Sequence, residues 1–231
     1  MTNMILQIET ATSACSVALA QDGKVLAFKQ VNERNIHAEV ITVFIDDLVT
    51  SGGLKYNELD AIAVSCGPGS YTGLRIGVST AKGLCFALEK PLIAIETLAA
   101  MADCMVDIEG YEKDDNLLLC PMIDARRMEV FTAIFTMDGQ SVRPTAAEII
   151  DENSFADLLA NNKILFFGDG AEKCRSVLGR NPNALFFEGF VNSAACLTKR
   201  ALHKFLTKEF EDVAYFEPYY LKDFIAGKKA F

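Results

Sequence analysis

The chain has no tryptophan and only two histidines, His37 and His203. They stand far apart, and neither has the i,i+4 partner from which a helical metal pair is built. A lone His37 at the start of a helix reads first as an N-terminal polar residue. The seven cysteines, Cys15, Cys66, Cys85, Cys104, Cys120, Cys174 and Cys196, are scattered singly. Zinc ligation and dithiol chemistry use close pairs, so this spacing reads as a set of buried, reduced thiols. No cysteine stands beside a histidine that could activate it, and no serine elbow of the hydrolase kind occurs. Basic residues are in deficit: 22 Lys and Arg against 31 Asp and Glu leave a net charge of −9. Phosphate backbones need Lys and Arg gathered on one face, so any RNA would be held mostly by a partner. No apolar run is long enough for a bilayer span, and Met1-Thr2-Asn3-Met4 lacks the basic start of a signal peptide, so a cytoplasmic protein without membrane contact is expected.

What is present is an α/β pattern. The 231 residues, 51% of them hydrophobic, give room for one large domain or two small ones with ordinary cores. Strands are expected from Met4 to Thr10, from Cys15 to Ala20 and through Val31, with Asp22-Gly23 as a hairpin turn between the last two. Helical spacing runs from Ile36 to Ser51 and stops at Gly52-Gly53. A buried strand, Ala61 to Ser65, leads through a glycine-rich loop into a long helix ending near Leu88. A strand from Pro91 to Ile95 follows, then a helix that Thr97 would cap. The apolar pattern lapses over the polar stretch 109–116, which divides the chain into an N-terminal lobe, 1–110, and a C-terminal lobe, 111–231. In the second lobe, strands are expected at Leu117–Ile123, Glu129–Phe135 and Ile164–Phe167, with a hairpin at Asp138-Gly139. Helices are expected from Ser154, at Ala171–Leu178 and at Ala194–Lys208. The sequence holds no tandem repeat.

Chemistry concentrates in a few segments. Glu9-Thr10-Ala11-Thr12-Ser13 is a turn of small hydroxyl residues; it could offer amides and hydroxyls to a phosphate, or satisfy only its own backbone. Gly67-Pro68-Gly69-Ser70-Tyr71-Thr72-Gly73 opens a helix, and its amides and the helix dipole form the kind of site anions use. It lacks the Gly-Lys-Ser/Thr of a P-loop. Gly77 and Gly83 then sit inside the helix, each costing roughly 1 kcal/mol relative to Ala, and something must compensate. Gly73, Gly77 and Ala81 form a small-residue stripe that would admit a second helix closely. With Leu74, Ile76, Val78, Leu84, Phe86 and Leu88 around it, the helix suits a protein interface as well as an internal core. Asp124-Ala125-Arg126-Arg127 places charge in a turn where an anion or partner could bind. Phe167-Gly168-Asp169-Gly170-Ala171 is a strand-to-helix turn of the type that lines nucleotide clefts.

Taken together, Ile5 to Thr12, Cys15 to Leu19, Gly67-Pro68-Gly69-Ser70-Tyr71-Thr72-Gly73-Leu74-Arg75-Ile76-Gly77 and Ala81 to Leu84 resemble the TsaB (YeaZ) family. Asp124 to Arg127, Phe167 to Gly170 and Pro218-Tyr219-Tyr220-Leu221-Lys222 match further landmarks, so the resemblance spans nearly the whole chain. It implies a two-lobed actin/sugar-kinase/Hsp70-like (ASKHA) fold. It also implies a non-catalytic role in forming N6-threonylcarbamoyladenosine at position 37 of tRNA. In that family the transfer belongs to a paralogue, TsaD, which holds a histidine-bound metal, and an ATPase, TsaE, docks on the pair. The expected partners are therefore a TsaD-type transferase, a TsaE-type ATPase and, when alone, a second copy, with tRNA reached only through the complex. Family pairing through the first two helices assigns the interface to His37, Ile41, Ile45, Gly73, Leu74, Gly77 and Ala81. Nucleotide contact would fall on Glu9, Thr10, Thr12, Gly168 and Gly170. No tightly bound cofactor, catalytic residue or metal ligand is expected in the chain itself, while ATP or ADP with Mg could sit at the complex interface. The family opens its motif with Asp-Thr-Ser, and Glu9-Thr10-Ala11 has a longer carboxylate and one hydroxyl fewer, which counts against autonomous nucleotide binding. The rival implication is an ATPase, kinase or glycoprotease-like enzyme of the same fold.

Overall fold

The computed structural model describes residues 2–106 and 116–222, which leaves most of the expected boundary stretch 109–116 outside the described residues. β1 (Met4–Glu9), β2 (Ala14–Gln21) and β3 (Lys24–Asn32) form an antiparallel meander. Its second turn follows the Asp-Gly signal: Asp22 and Gly23 take φ of +48° and +79°, the left-handed pair that matches strand twist. β4 (Ala61–Gly67) and β5 (Leu92–Glu96) add in parallel on the other side of β1, giving the order β3-β2-β1-β4-β5. β1 is buried along its whole length, which is why it reads as an almost unbroken apolar run. α1 (His37–Ser51) and α2 (Tyr71–Leu88) cover one face of the sheet, where Ile41, Ile45, Val78 and Ala81 meet Leu6, Ile8, Val17 and Leu19.

A second sheet repeats the plan. β6 (Leu117–Asp124), β7 (Glu129–Thr136) and β8 (Ser141–Ile149) form the meander, and β9 (Lys163–Phe167) and β10 (Ala184–Phe186) add in parallel beside β6. Read from β8, the order β8-β7-β6-β9-β10 mirrors the first sheet strand for strand. This duplicated topology is the ASKHA architecture. The repeat escapes the sequence because it lies in connectivity and burial, not in residue identity. β8 and β10 lack a strand signal in the sequence for a related reason. β8 is an edge strand, partly exposed and carrying Pro144, and β10 has three half-buried residues, so neither shows a clean alternation.

α3 (Thr97–Met105) follows β5 directly, and the structure corrects its cap: Glu96 is the N-cap residue, while the Thr97 hydroxyl accepts the Gly67 N–H at 3.2 Å. The helix expected from Ser154 shrinks to α4 (Ala156–Leu159), and that at Ala171–Leu178 to a 3-10 turn and α5 (Arg175–Leu178). A 3-10 turn at Ala194–Leu197 leads into α6 (Thr198–Thr207).

The expected C-terminal lobe, 111–231, also sends residues onto the first sheet. Leu197 and Ala201 pack with Ile5, Ala63, Ile93 and Ile95 on the free face of the first sheet. Thr198 donates to Gln7 Oε1 at 2.9 Å, and Ala194 N–H donates to Ser16 Oγ at 2.8 Å. Residues 209–222 then strap α2. Lys82 donates to the Ala214 and Phe216 carbonyls, Tyr219 N–H donates to the Cys66 carbonyl at 2.7 Å, and Tyr220 stacks on Tyr71. Lys222 of the strap pairs with Glu129 of β7. Residues 194–222 thus contact both sheets. Among the described residues, no helix is long and apolar enough to cross a membrane.

The cysteine expectation is overturned for one pair. Cys104 on α3 and Cys196 in the 3-10 turn form a disulfide, with Cα atoms 5.1 Å apart and 92 residues between them in sequence. Sequence spacing could not reveal a pair that meets only after α6 folds back on the first sheet. The other five cysteines are free. A long closed loop constrains the unfolded chain strongly, by at most about 4–5 kcal/mol. Cys104→Ser should lower the urea midpoint of the oxidised protein, and the difference from the parent should vanish when both are measured with a dithiol reductant.

Candidate functional site

The β1–β2 turn, the β4–α2 loop and the start of α1 come together as one packed unit. Gly67 holds φ +116°, where a Cβ would lie 2.5 Å from the Tyr219 carbonyl oxygen of the strap, and the Gly67–Pro68 peptide is cis. Ser70 caps α2, its hydroxyl accepting the Gly73 N–H at 3.2 Å, while its own N–H donates to the Ala11 carbonyl at 2.6 Å. A Cβ on Gly69 would overlap Ala11, one on Gly73 would overlap the Thr10 carbonyl, and one on Gly77 would overlap the Thr10 hydroxyl. The small stripe therefore exists to bring α2 against this chain's own turn.

The residues expected at the partner interface lie on the inward side of the two helices. His37, Ile41, Ile45, Gly73, Leu74, Gly77 and Ala81 are all buried within the chain. His37 Nε2–H donates to the Thr12 carbonyl at 3.0 Å, tying α1 to the same turn. Buried side chains already in contact with their own sheet present nothing to a second protein. What α1 and α2 leave outside is different: Val43 is 53% exposed and Phe86 83%. Beside Phe86, a Cβ on Gly83 would meet nothing within 4 Å. Gly77 repays its helix cost through the contact with Thr10; Gly83 has no such reason inside the chain.

The expected nucleotide residues divide between the two sheets. Glu9, Thr10 and Thr12 are buried. The Ala11 N–H donates to Glu9 Oε1 at 2.6 Å, and the Ala14 N–H to the Thr12 hydroxyl at 3.3 Å. Gly69 and Gly73 back onto the carbonyls of Ala11 and Thr10. Gly168 and Gly170 lie at the end of β9, packed against the Met122 carbonyl and the Ile123–Asp124 backbone. Gly168 also borders a cavity of roughly 340 Å³ with Arg175, Phe186 and Phe190. Among the described residues, no cluster of three His, Cys, Asp or Glu could hold a metal ion.

Sequence reasoning did not anticipate the surroundings of Glu9. Its side chain lies on the sheet face onto which residues 192–198 fold, next to Ser65 and Asn192. Burial pushes its carboxyl up to about 7, with the hydrogen bond from the Ala11 N–H pulling the other way. The pairing of Ile8 with Val64 in β1 and β4 brings Ser65 beside Glu9, but nothing local points to Asn192.

A family model described as TsaD, tRNA N6-adenosine threonylcarbamoyltransferase, matches residues 31–215. The chain is 38% identical over 138 residues to the tRNA threonylcarbamoyladenosine biosynthesis protein TsaB of Escherichia coli (strain K12), covering 60% of this chain and 57% of that protein. The chain thus spans little more than half the length of that relative. It is 29% identical over 227 residues to the protein of the same name from Bacillus subtilis (strain 168), covering 94% and 93%. A Pseudomonas aeruginosa crystal structure, titled as an uncharacterized protein with similarity to peptidase YEAZ, superposes with a TM-score of 0.81 at 26% identity. It covers 95% of this chain and 100% of that one.

Two outcomes follow from this packing. Gly77→Leu should cost roughly 3 kcal/mol or more and collapse the fold, whereas Gly83→Ala should raise stability by up to about 1 kcal/mol; chemical denaturation of both variants reads the contrast. Glu9 holds its proton to a higher pH folded than unfolded, so its contribution is complete below about 4.5 and is lost as pH rises to about 7. Glu9→Gln should accordingly gain stability over the parent between pH 5 and 8, by at most on the order of 3 kcal/mol, as measured by urea unfolding across that range.

Proposed function

Because the chain belongs to the tRNA N6-adenosine threonylcarbamoyltransferase (TsaD) family, in its TsaB (YeaZ) branch, we propose that it is a non-catalytic subunit of the complex that threonylcarbamoylates adenosine 37 of tRNA. It binds and orients a TsaD-type transferase, which performs the transfer. The observation that carries this reading is the outer side of α1 and α2, where Phe86 of α2 stands 83% exposed beside the uncompensated Gly83 and the exposed Ala87, and Val43 of α1 is 53% exposed. A large aromatic side chain left in water next to an open glycine is the composition of an interface anchor and the gap that receives a partner's side chain. The same face would serve a homodimer when the transferase is absent, and a TsaE-type ATPase would then join the pair.

The turn at Glu9–Thr12 acts here as a structural support. The Ala11 carbonyl accepts the Ser70 N–H, and Gly69, Gly73 and Gly77 pack against Thr10 and Ala11, which seats α2 on the turn with its other face outward. ATP, ADP or Mg, where they take part, belong to the assembled complex. The net charge of −9 supports a division of labour in which the partner supplies most of the contact with tRNA.

The test supplies tRNA, the threonylcarbamoyl adenylate, ATP, a TsaD-type transferase and a TsaE-type ATPase, with and without this chain. Modified adenosine should form only when the chain is present. Formation without it, or turnover of ATP or peptide by the isolated chain, would favour the enzyme reading. Phe86→Asp should leave the unfolding free energy within about 0.5 kcal/mol of the parent, as exposed sites do, yet abolish co-elution with the transferase and reduce product formation in parallel.

A further inference from the structure

The hairpin turn between β6 and β7 is built unusually. It is closed by Ala125 N–H donating to the Glu129 carbonyl and Glu129 N–H donating to the Arg126 carbonyl, both at 3.1 Å. Within it, Arg126 and Arg127 take φ of +72° and +51°. The left-handed region costs every residue with a Cβ, and Gly or Asn would occupy it more easily. Two consecutive arginines are kept there instead. Ala125 packs into one core cluster and Met128 into another, so the turn is anchored on both sides while the arginines between them are exposed.

The carboxylates around the turn are already committed. Asp124 Oδ1 accepts the Arg126 N–H at 2.9 Å and pairs with Lys173. Asp169 accepts the Asp124 N–H at 3.0 Å, and Glu129 pairs with Lys222 of the strap. Among the described residues, neither the Arg126 nor the Arg127 guanidinium has an ion-pair partner. The four cations at the turn outnumber its three carboxylates, on a chain whose net charge is −9.

From this we infer that the Arg126–Arg127 tip is a phosphate-binding contact through which this chain touches the tRNA backbone inside the complex. The inference rests on the tRNA-modifying function proposed above. Strained conformations persist where the side chains they aim are used, and the paired guanidinium forks match phosphate oxygens. A protein partner would require apolar area at the centre of the contact. The apolar residues flanking this tip, Ala125 and Met128, are instead turned into the chain's own core. A purely ionic, protruding contact is the kind that positions a nucleic-acid backbone without reading its sequence.

The experiment measures binding of unmodified tRNA to the complex of this chain with its TsaD-type transferase, as a function of salt. Charge reversal by Arg126→Glu with Arg127→Glu should weaken binding about tenfold near 0.1 M salt and lower the log–log salt slope by about 1.4–1.8, as expected for two lost phosphate contacts. A control pair on other exposed sites, Arg34→Glu with Arg180→Glu, should change binding less than twofold. Arg126→Asn with Arg127→Gly should weaken binding as well, yet raise the thermal midpoint because the turn is relieved. Unchanged tRNA affinity in the tip variants, or an equal loss in the control pair, overturns the inference. So does loss of association with the transferase at unchanged tRNA affinity, which would make the tip a protein contact. A parent complex that fails to form or to bind tRNA sinks the proposed function itself, and is told apart by the parent measurement alone.

Discussion

The approach of α2 to the β1–β2 turn is the contact on which the rest of the first lobe depends. Gly69, Gly73 and Gly77 remove every Cβ that would hold the helix away from Thr10 and Ala11. The helix then covers the turn, and its backbone satisfies the Ala11 carbonyl through Ser70. His37 reaches the same turn from α1, so both helices are fixed by a segment of four residues. In this arrangement the small residues face inward, and the large exposed ones, Phe86 and Val43, face outward. One steric requirement thereby sets which side of each helix faces the sheet and which is left exposed.

On the opposite face of the same sheet a polar strip replaces the apolar layer. Gln7, Glu9, Ser16 and Ser65 lie under the segment Asn192–Thr198, which returns from the second sheet. A carboxyl sealed into such a layer holds its proton toward neutral pH because burial penalises its charge more than its hydrogen bonds favour it. The returning segment is also tied by the Cys104–Cys196 disulfide and the ion pair between Asp103 and Arg200. The strap then continues over α2 to Glu129. Two sheets that could have been separate units are stitched by one C-terminal run.

The sheets share a strand order but have specialised differently. The first carries the covered turn and the two packed helices. The second carries short helices, the cavity beside Gly168, and the hairpin that holds Arg126 and Arg127 clear of the surface. On an acidic chain, charge of the minority sign has local meaning only where neighbouring carboxylates are already paired. Around this hairpin, Lys173 and Lys222 meet that condition.

The sequence by itself determined the alternation of strands and helices, the Asp22-Gly23 hairpin and the loop that opens α2, because these depend on local periodicity and on residues with special backbone freedom. It also identified the segments that matter: Glu9 to Thr12, Gly67 to Gly77, Asp124 to Arg127 and Gly168 to Gly170. Only the tertiary structure decided what each faces. A stripe of small residues has the same spacing whether it meets a partner or its own chain, and only the position of Thr10 told Gly77 from Gly83. The Cys104–Cys196 pair, the neighbours of Glu9 and the strap join residues far apart in sequence, so no local pattern could encode them. The duplicated sheet was invisible for the same reason, since connectivity is a property of where the chain goes rather than of any residue along it.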